Sequence, residues 1–405
     1  MSHRSRAVTS DSILSLSFGL LVIANFLFFG SMYLLMATLP VYAAELGGQP
    51  AQVGLVIGMF AITAVMARPY AGQLVDRLGR KAMALIGAAI FFAAPLLYNL
   101  ATTIPMLMAA RMFHGIGIAC FTTAATTWVA DIVPDSRRAQ AIGLYGVSSL
   151  TAMSLGPALG TTILEDTSFP FLFAVSAGAA LGAFLAGALA PPGRSIHATE
   201  NAGHLGFWQA IRVRGIWVPT LATLTCATSY GTVLSFLPLY AMERKLPNFG
   251  GPLPFLSSDL DVAPAGGFFF IYALATVAVR LTAGRLFDRM GRRRAAIPVM
   301  LLVAFTFWLF PEVTTLAWLA LIAVLYGAGF GSAQPVLNAL VVDKAPLQAR
   351  GAAVGIFGAG FDLGIAIGSF LGGVAAAAVG YAAMYALTGT IVLAGCLAFV
   401  YFLRG

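Results

Sequence analysis

The sequence has few charged residues: 15 acidic and 23 basic side chains make up 9% of its 405 residues, while 60% are apolar. A soluble domain carries about 25% charged and about 45–50% apolar residues. A soluble fold of this length could not bury so much apolar surface, so we expect the chain to lie in a lipid bilayer. Its apolar runs are continuous rather than alternating, which indicates helices and not strands. The sequence therefore predicts an all-α membrane protein with 12 transmembrane helices.

Motifs of common enzymes are also missing from the sequence. The four histidines form no H-E-x-x-H zinc motif, and neither G-x-S-x-G nor the phosphate loop G-x-x-x-x-G-K-[ST] is present. The cysteines Cys120, Cys226 and Cys396 each lie in an apolar run and indicate no disulfide framework. We therefore expect neither an enzyme nor a cofactor or metal site, and no direct use of ATP.

The net charge of +8 is distributed unevenly along the chain. In the predicted topology, 18 of the 23 basic residues fall in alternate connections on one side of the membrane, whereas the acidic residues show no such bias. This pattern matches the positive-inside rule, which places Lys and Arg in cytoplasmic loops. We interpret the charge as an orientation signal with both termini cytoplasmic, and not as a nucleic-acid-binding surface.

The sequence contains an internal repeat. The stretch GQLVDRLGRKA (72–82) returns 212 residues later as GRLFDRMGRRRA (284–295), and the same register aligns Gly, Asp, Arg and Pro residues well beyond it. Such parallel units are related by an axis along the membrane normal. We predict a first six-helix half at 1–190, a cytoplasmic linker at 191–214 and a second six-helix half at 215–405.

Two parallel six-helix halves, with G-x-x-x-D-R-x-G-R-[KR] after spans 2 and 8, resemble the major facilitator superfamily, and within it the 12-span drug:proton antiporters. In that family the glycine lets span 2 approach span 11, and the aspartate caps span 11 and pairs with an arginine. The resemblance implies a conformational latch, with Asp76 at the start of span 11 and Asp288 at the start of span 5. The implied latch residues are Gly72, Asp76, Arg77, Gly79, Arg80, Arg138, Asp288, Arg289 and Arg350.

Arg111 lies inside predicted span 4, where a charge is costly and indicates a function. It matches the family pattern R-x-x-x-G-x-G, and His114 follows one turn later on the same face. The second half has Ala323 and Tyr326 at the equivalent positions, so the repeated architecture does not require this charge. We expect Arg111 and His114 to serve proton coupling or the cavity; a structural histidine is the alternative for His114.

Asp362 is the only acid within a predicted span, and its repeat equivalent is Leu150. A carboxyl group removed from water can change between a charged and a neutral form, as proton coupling requires. We expect Asp362 to be the proton-coupling group, with Arg111 nearby. A static ion pair with an arginine is the alternative.

Small residues in spans 5 and 11 resemble the antiporter pattern G-x-x-x-G-P-x-x-G-G. Small residues at this spacing let helices pack closely in lipid, and the resemblance favours export over uptake. The residues concerned are Gly156, Pro157 and Gly160 in span 5, and Gly364 and Gly368 in span 11.

Polar and aromatic residues at helical spacing outline a possible substrate cavity. Its few charges suit an amphipathic organic solute better than a sugar phosphate. The predicted cavity residues are Phe29, Tyr33, Thr122, Thr126, Tyr145, Tyr230, Gln334, Asn338 and Phe361.

Taken with the resemblance, the sequence predicts a secondary active transporter that exports small amphipathic compounds in exchange for protons by alternating access. Uptake of a small organic solute is the first alternative. A non-transporting membrane receptor or an integral membrane enzyme is less favoured. We expect a monomer in a bacterial cytoplasmic (inner) membrane, with protons, a small molecule and lipid as partners and without nucleic acid or cofactor.

Overall fold

The computed structural model of the chain describes residues 15–133, 137–192, 209, 212–249, 262–346 and 350–404. Most of these residues are α-helical, and the predicted linker at 191–214 lies largely outside them. The helices are α1 (Leu16–Met36), α2 (Leu39–Glu45), α3 (Pro50–Leu78), α4 (Arg80–Tyr98), α5 (Ile104–Ile132), α6 (Arg138–Asp166), α7 (Phe169–Leu189), α8 (Arg214–Glu243), α9 (Pro264–Met290), α10 (Arg292–Leu309), α11 (Leu316–Lys344) and α12 (Arg350–Arg404), with a 3₁₀ turn (Phe310–Glu312) after α10.

The long helices have the length and composition of membrane-spanning segments. Among the described residues, 10 helical stretches are long and apolar enough to cross a bilayer. Large apolar side chains such as Leu16, Leu281 and Tyr401 are exposed, as expected where lipid takes the place of water. The chain is therefore a multi-pass α-helical membrane protein, as predicted.

Two helices complicate a simple count of spans. The 30-residue helix α8 is not among those 10, and its buried middle carries many hydroxyl groups, including Thr225, Thr228 and Ser229. Helix α12 has 55 residues and is broken at Gly380, where φ is 81° and ψ is 166°. We call residues 350–379 the first arm of α12 and residues 381–404 its second arm.

Equivalent positions of the predicted repeat have the same local structure. The hydroxyl group of Thr103 caps the start of α5, and that of Thr315, 212 residues later, caps the start of α11. Gly79 joins α3 to α4 with φ 85°, and Gly291 joins α9 to α10 with φ 77°. Positive φ values favour glycine because it has no Cβ. We call the end of the bundle that contains these two glycines the turn end, and the other the opposite end.

The first and second halves of the chain are packed together at the opposite end. A Cβ at Gly54 of α3 would overlap the carbonyl oxygen of Ser369 in α12, and one at Gly373 would overlap that of Pro50. Towards the turn end, by contrast, a Cβ would have no atom of the described residues within 4 Å at Gly72, Gly143, Gly146, Gly355 or Gly358. Among the described residues, the two halves are therefore packed together at the opposite end and open at the turn end.

The predicted packing glycines lie where helices of the same half touch. In α6, a Cβ at Gly160 would overlap the carbonyl oxygen of Leu34 in α1. In α12, a Cβ at Gly368 would overlap that of Thr228 in α8. The full set is Gly156, Pro157 and Gly160 in α6, and Gly364 and Gly368 in the first arm of α12, and all four glycines are in such contacts.

Candidate functional site

A cavity of about 240 Å³ lies between the two halves of the chain, lined by residues of α1, α3, α5, α6, α11 and α12. Much of its wall is apolar and aromatic, with Met32, Met153, Phe60 and Phe357 among the lining residues. Methionine and aromatic side chains adapt to flat organic molecules and contact them over large areas. Five of the predicted cavity residues line it, namely Phe29, Tyr33, Gln334, Asn338 and Phe361.

The other four predicted cavity residues lie elsewhere. Thr122 and Thr126 bond to carbonyl oxygens one turn earlier in α5, at 2.7 and 3.3 Å, which satisfies their hydroxyl groups within the helix. Tyr145 is buried near α1, where its backbone oxygen accepts a bond from Asn25. Tyr230 is buried behind the cavity wall, and its hydroxyl group donates to the carbonyl oxygen of Met153 at 3.4 Å. Helical spacing placed Thr122, Thr126 and Tyr145 on helices that line the cavity but not on the cavity face, whereas Tyr230 lies on α8, which contributes none of the described lining residues.

Arg68 of α3 and Asp362 of α12 form an ion pair in the cavity wall, through Nη2 and Oδ2. About a quarter of each side chain is exposed, 25% for Arg68 and 22% for Asp362. Among the described residues that line the cavity, these two are the only charged ones. The ion pair therefore sets the charge of the cavity and links the first half of the chain to the second.

Two polar atoms, one in Arg68 itself and one in another lining residue, have no hydrogen-bond partner among the described residues. They are Nη1 of Arg68 and Oδ1 of Asn338, both buried. Buried polar groups are usually hydrogen-bonded, so each unpartnered atom calls for an explanation. Both residues line the cavity, where a bound molecule or water could satisfy them.

Arg111 is not the partner of Asp362, which corrects the expectation from the sequence. Its side chain is fully buried within the first half of the chain. Its Nε donates to the carbonyl oxygen of Val56 at 3.4 Å, and its Cζ lies 4.5 Å from the centre of the Phe60 ring. Arg111 thus supports the wall of the cavity from behind, through Phe60.

His114 shares the buried surroundings of Arg111. Its Nδ1 lies 2.7 Å from the hydroxyl oxygen of Tyr98, and its ring packs edge-on against Phe91 with the centroids 4.0 Å apart. Its Nε2 has no hydrogen-bond partner among the described residues. His114 does not line the cavity, so its placement favours the structural alternative over a direct role.

Each of the two repeated turns contributes an arginine to an ion pair at the turn end. Arg80 pairs with Asp131 at the end of α5, and Arg292, at the equivalent position of the second half, pairs with Asp343 at the end of α11. Arg77 and Arg289 are exposed. The side chains of Asp76, Arg138, Asp288 and Arg350 lie outside the described residues, so the latch contacts expected of them stay predictions. A Cβ at Gly54 of α3 would overlap the backbone of α12, whereas a Cβ at Gly72 would have no described atom within 4 Å.

The repeat does not produce a second ion pair of this kind, because the positions equivalent to Arg68 and Asp362 are Arg280 and Leu150. Arg280 occupies the position equivalent to Arg68, but it donates to the carbonyl oxygen of Gly331 at 3.2 Å. Leu150 occupies the position equivalent to Asp362 and also lines the cavity. The repeat therefore explains the arginine, whereas the acid is particular to the second half.

No group of three or more His, Cys, Asp or Glu side chains in the described residues could hold a metal ion.

Comparison with known proteins agrees with this architecture. Residues 21–256 and 248–405 match the sequence profile of the Major Facilitator Superfamily. The chain belongs to the major facilitator superfamily. It is 28% identical over 356 residues to Multidrug resistance protein 1 of Bacillus subtilis, with 86% of each chain covered. It is 24% identical over 385 residues to the Staphylopine export protein of Staphylococcus aureus, with 92% of each covered.

A solved structure of a transporter shares the fold. The crystal structure of nucleoside transporter NupG matches with a TM-score of 0.73 over 96% of this chain and 99% of that one, at 14% identity. This likeness shows the fold, and membership of the superfamily indicates a membrane transporter and not an enzyme.

Sequence reasoning missed Arg68 as a site residue of this superfamily member. The sequence did contain a signal: Arg68 is one of the few charges within an apolar run, and its register partner is Arg280. The duplication made it resemble part of the architecture. Only the fold shows that α3 and α12 cross with Arg68 and Asp362 at the same depth.

Proposed function

We propose that this protein is a 12-span secondary active transporter that exports small amphipathic organic compounds in exchange for protons. Export is supported by two relatives that cover most of the chain, one named for multidrug resistance and one for export of staphylopine. Twelve spans follow if α8 crosses the membrane with the 10 apolar stretches and if the two arms of α12 each count as one.

The basic residues support an orientation for this bundle. Arg77, Arg80, Arg289 and Arg292 lie at the turn end, which the positive-inside rule assigns to the cytoplasm. The described conformation is then open to the cytoplasm and closed to the outside, ready to admit a compound for export. We place the transporter as a monomer in a bacterial inner membrane with cytoplasmic termini.

The ion pair between Arg68 and Asp362 is the observation that carries proton coupling. A carboxylate can accept a proton, whereas an arginine stays charged. Protonation of Asp362 removes the attraction that holds α12 to α3 at this point, so the proton changes how firmly the two halves are joined. Both residues line the cavity, so a compound bound there would contact the same pair. Proton and compound then compete for one group, as exchange requires.

Transport by purified protein in liposomes tests this proposal. A panel of lipophilic aromatic compounds is loaded with an imposed pH gradient of either sign, and compound and proton fluxes are measured together. We expect compound and protons to move in opposite directions. Movement in the same direction would support proton-coupled uptake, and compound flux without proton flux would support facilitated diffusion.

A further inference from the structure

A second, larger cavity opens at the turn end, outside the substrate site. Its volume is about 1080 Å³, and it lies between the start of α10 and the end of α11. Its charged lining residues are Arg292, Arg293, Arg294, Asp343 and Lys344.

The charges around this cavity are strongly unbalanced. Among the described lining residues, four of the five charges are positive, and the acid, Asp343, pairs with Arg292. Three arginines also occupy the first turn of α10, where the positive end of the helix dipole disfavours cations. The cluster therefore does not stabilise its own helix, and a bound anion would relieve the repulsion.

The first half of the chain provides an internal control. The ion pair is duplicated there as Arg80 with Asp131. The positions equivalent to Arg294 and Lys344 are occupied by Ala82 and Ile132. The turn therefore requires one arginine and one aspartate, but it does not require the two additional positive charges.

The position equivalent to Arg293 in the first half also carries a positive charge. It is Lys81, whose Nζ bonds to the carbonyl oxygens of Ala188 and Ala190, each at 2.7 Å, at the end of α7. Its charge is thus engaged within the protein. At the three positions compared, the first half therefore carries one positive charge and the second half carries three.

The apolar part of the lining indicates what kind of anion fits. Met290 and Leu340 belong to the cavity wall, and Leu281, two turns earlier in α9, is 81% exposed. Basic groups at the end of a helix bundle, next to surface that faces lipid, are the chemistry that binds anionic lipid headgroups.

We propose that this cavity binds the headgroup of an anionic phospholipid, with Arg294 and Lys344 holding its phosphate. Arginine donates to phosphate oxygens in a forked geometry, and lysine adds a point charge. The lipid would bridge α10 and α11 on one half of the transporter only.

Native mass spectrometry of the full-length protein, titrated with phosphatidylglycerol or phosphatidylethanolamine, tests the proposal. We expect the wild-type protein to prefer phosphatidylglycerol. The double variant R294A/K344I, which installs the residues of the first half, should lose about tenfold in affinity for phosphatidylglycerol and bind phosphatidylethanolamine as before. R294Q/K344Q, which keeps longer side chains, should show the same loss and guards against a folding defect.

A matched control removes two exposed charges at the same end but outside the cavity. The variant R77A/R137A should keep phosphatidylglycerol affinity within about twofold of wild type, since long-range attraction by exposed charges is weakened by salt. An equal loss in this control, or no loss in the cavity variants, would overturn the proposal. Displacement of the lipid by millimolar inorganic phosphate would also overturn it and indicate a site for a soluble anion.

Discussion

Arg68 and Asp362 meet where the packed part of the bundle gives way to the open part. On α3, Gly54 and Gly58 contact α12 before Arg68 does, and Gly72 beyond it has no close neighbour among the described residues. The same order holds on α12, where Ser369 and Ala366 are packed and Gly358 and Gly355 are not. The ion pair is therefore placed at the point about which the two halves would separate or close.

Replacement of Asp362 by asparagine should separate coupling from binding. D362N cannot change its charge, so we expect it to abolish uphill transport driven by a pH gradient. Downhill exchange of labelled for unlabelled compound should remain measurable, because the cavity keeps its shape. Both are measured in proteoliposomes, and accumulation against a gradient at the wild-type level would show that Asp362 is only structural.

Arg68 and Asp362 should behave as one unit in a double-mutant cycle. Residues that interact directly show non-additive effects. We expect R68A and D362N each to lower the midpoint of thermal unfolding, and the double variant to be no worse than the more harmful single one. R280A is the matched control, since Arg280 has the equivalent position but bonds to a backbone oxygen; its effect should add to that of D362N. If the effects of R68A and D362N on the unfolding midpoint simply added in the double variant, the two residues would not interact directly.

The sequence predicted the helical membrane fold. The structure places Asp362 in the cavity wall and the four predicted packing glycines in helix contacts, and the functional roles of these residues stay predictions. These features depend on apolar runs and on small residues at fixed spacing, both of which are local. The partner of Asp362 could not be predicted, because it depends on the crossing depth of α3 and α12, 294 residues apart at the pair. Likewise, helical spacing selects a face of α5 but does not reveal that Thr126 faces away from the cavity.

The orientation of the bundle can be tested by cysteine labelling in intact cells. The native residues Cys120, Cys226 and Cys396 are buried, so wild-type protein should label weakly. T102C, at the opposite end, should react with a membrane-impermeant thiol reagent from outside, and R137C, at the turn end, should react only after the membrane is permeabilised. Both positions are exposed. The reverse pattern would invert the proposed topology and the direction that the cavity faces.

Arg111 should contribute to stability and to the shape of the cavity, not to proton exchange itself. R111A removes a buried side chain that contacts Val56 and Phe60, and we expect lower unfolding midpoints and loss of both uphill and downhill transport. R111K should restore little, because lysine lacks the planar group that lies over the Phe60 ring. F60L tests the same contact from the other side. A variant of Arg111 that loses only uphill transport would instead place it in the proton pathway.

Glycine-to-alanine substitutions should lower stability at the opposite end of the bundle but not at the turn end. G160A places a methyl group against the backbone of Leu34, so it should destabilise the described conformation by about 1–3 kcal/mol. At Gly143 and Gly355 a methyl group meets no described atom within 4 Å, and alanine favours helix over glycine by about 0.5–1 kcal/mol. G143A/G355A should therefore unfold no earlier than wild type.

The transport by G143A/G355A should nevertheless be slower than that of wild type. Alternating access requires the turn end to close, and closure would bring α6 and α12 into contact with helices of the opposite half at that end. Unfolding midpoints and exchange rates in proteoliposomes distinguish the two effects. A wild-type rate for G143A/G355A would show that the turn end closes without close packing at these glycines, and another closing contact would have to be sought among the latch residues.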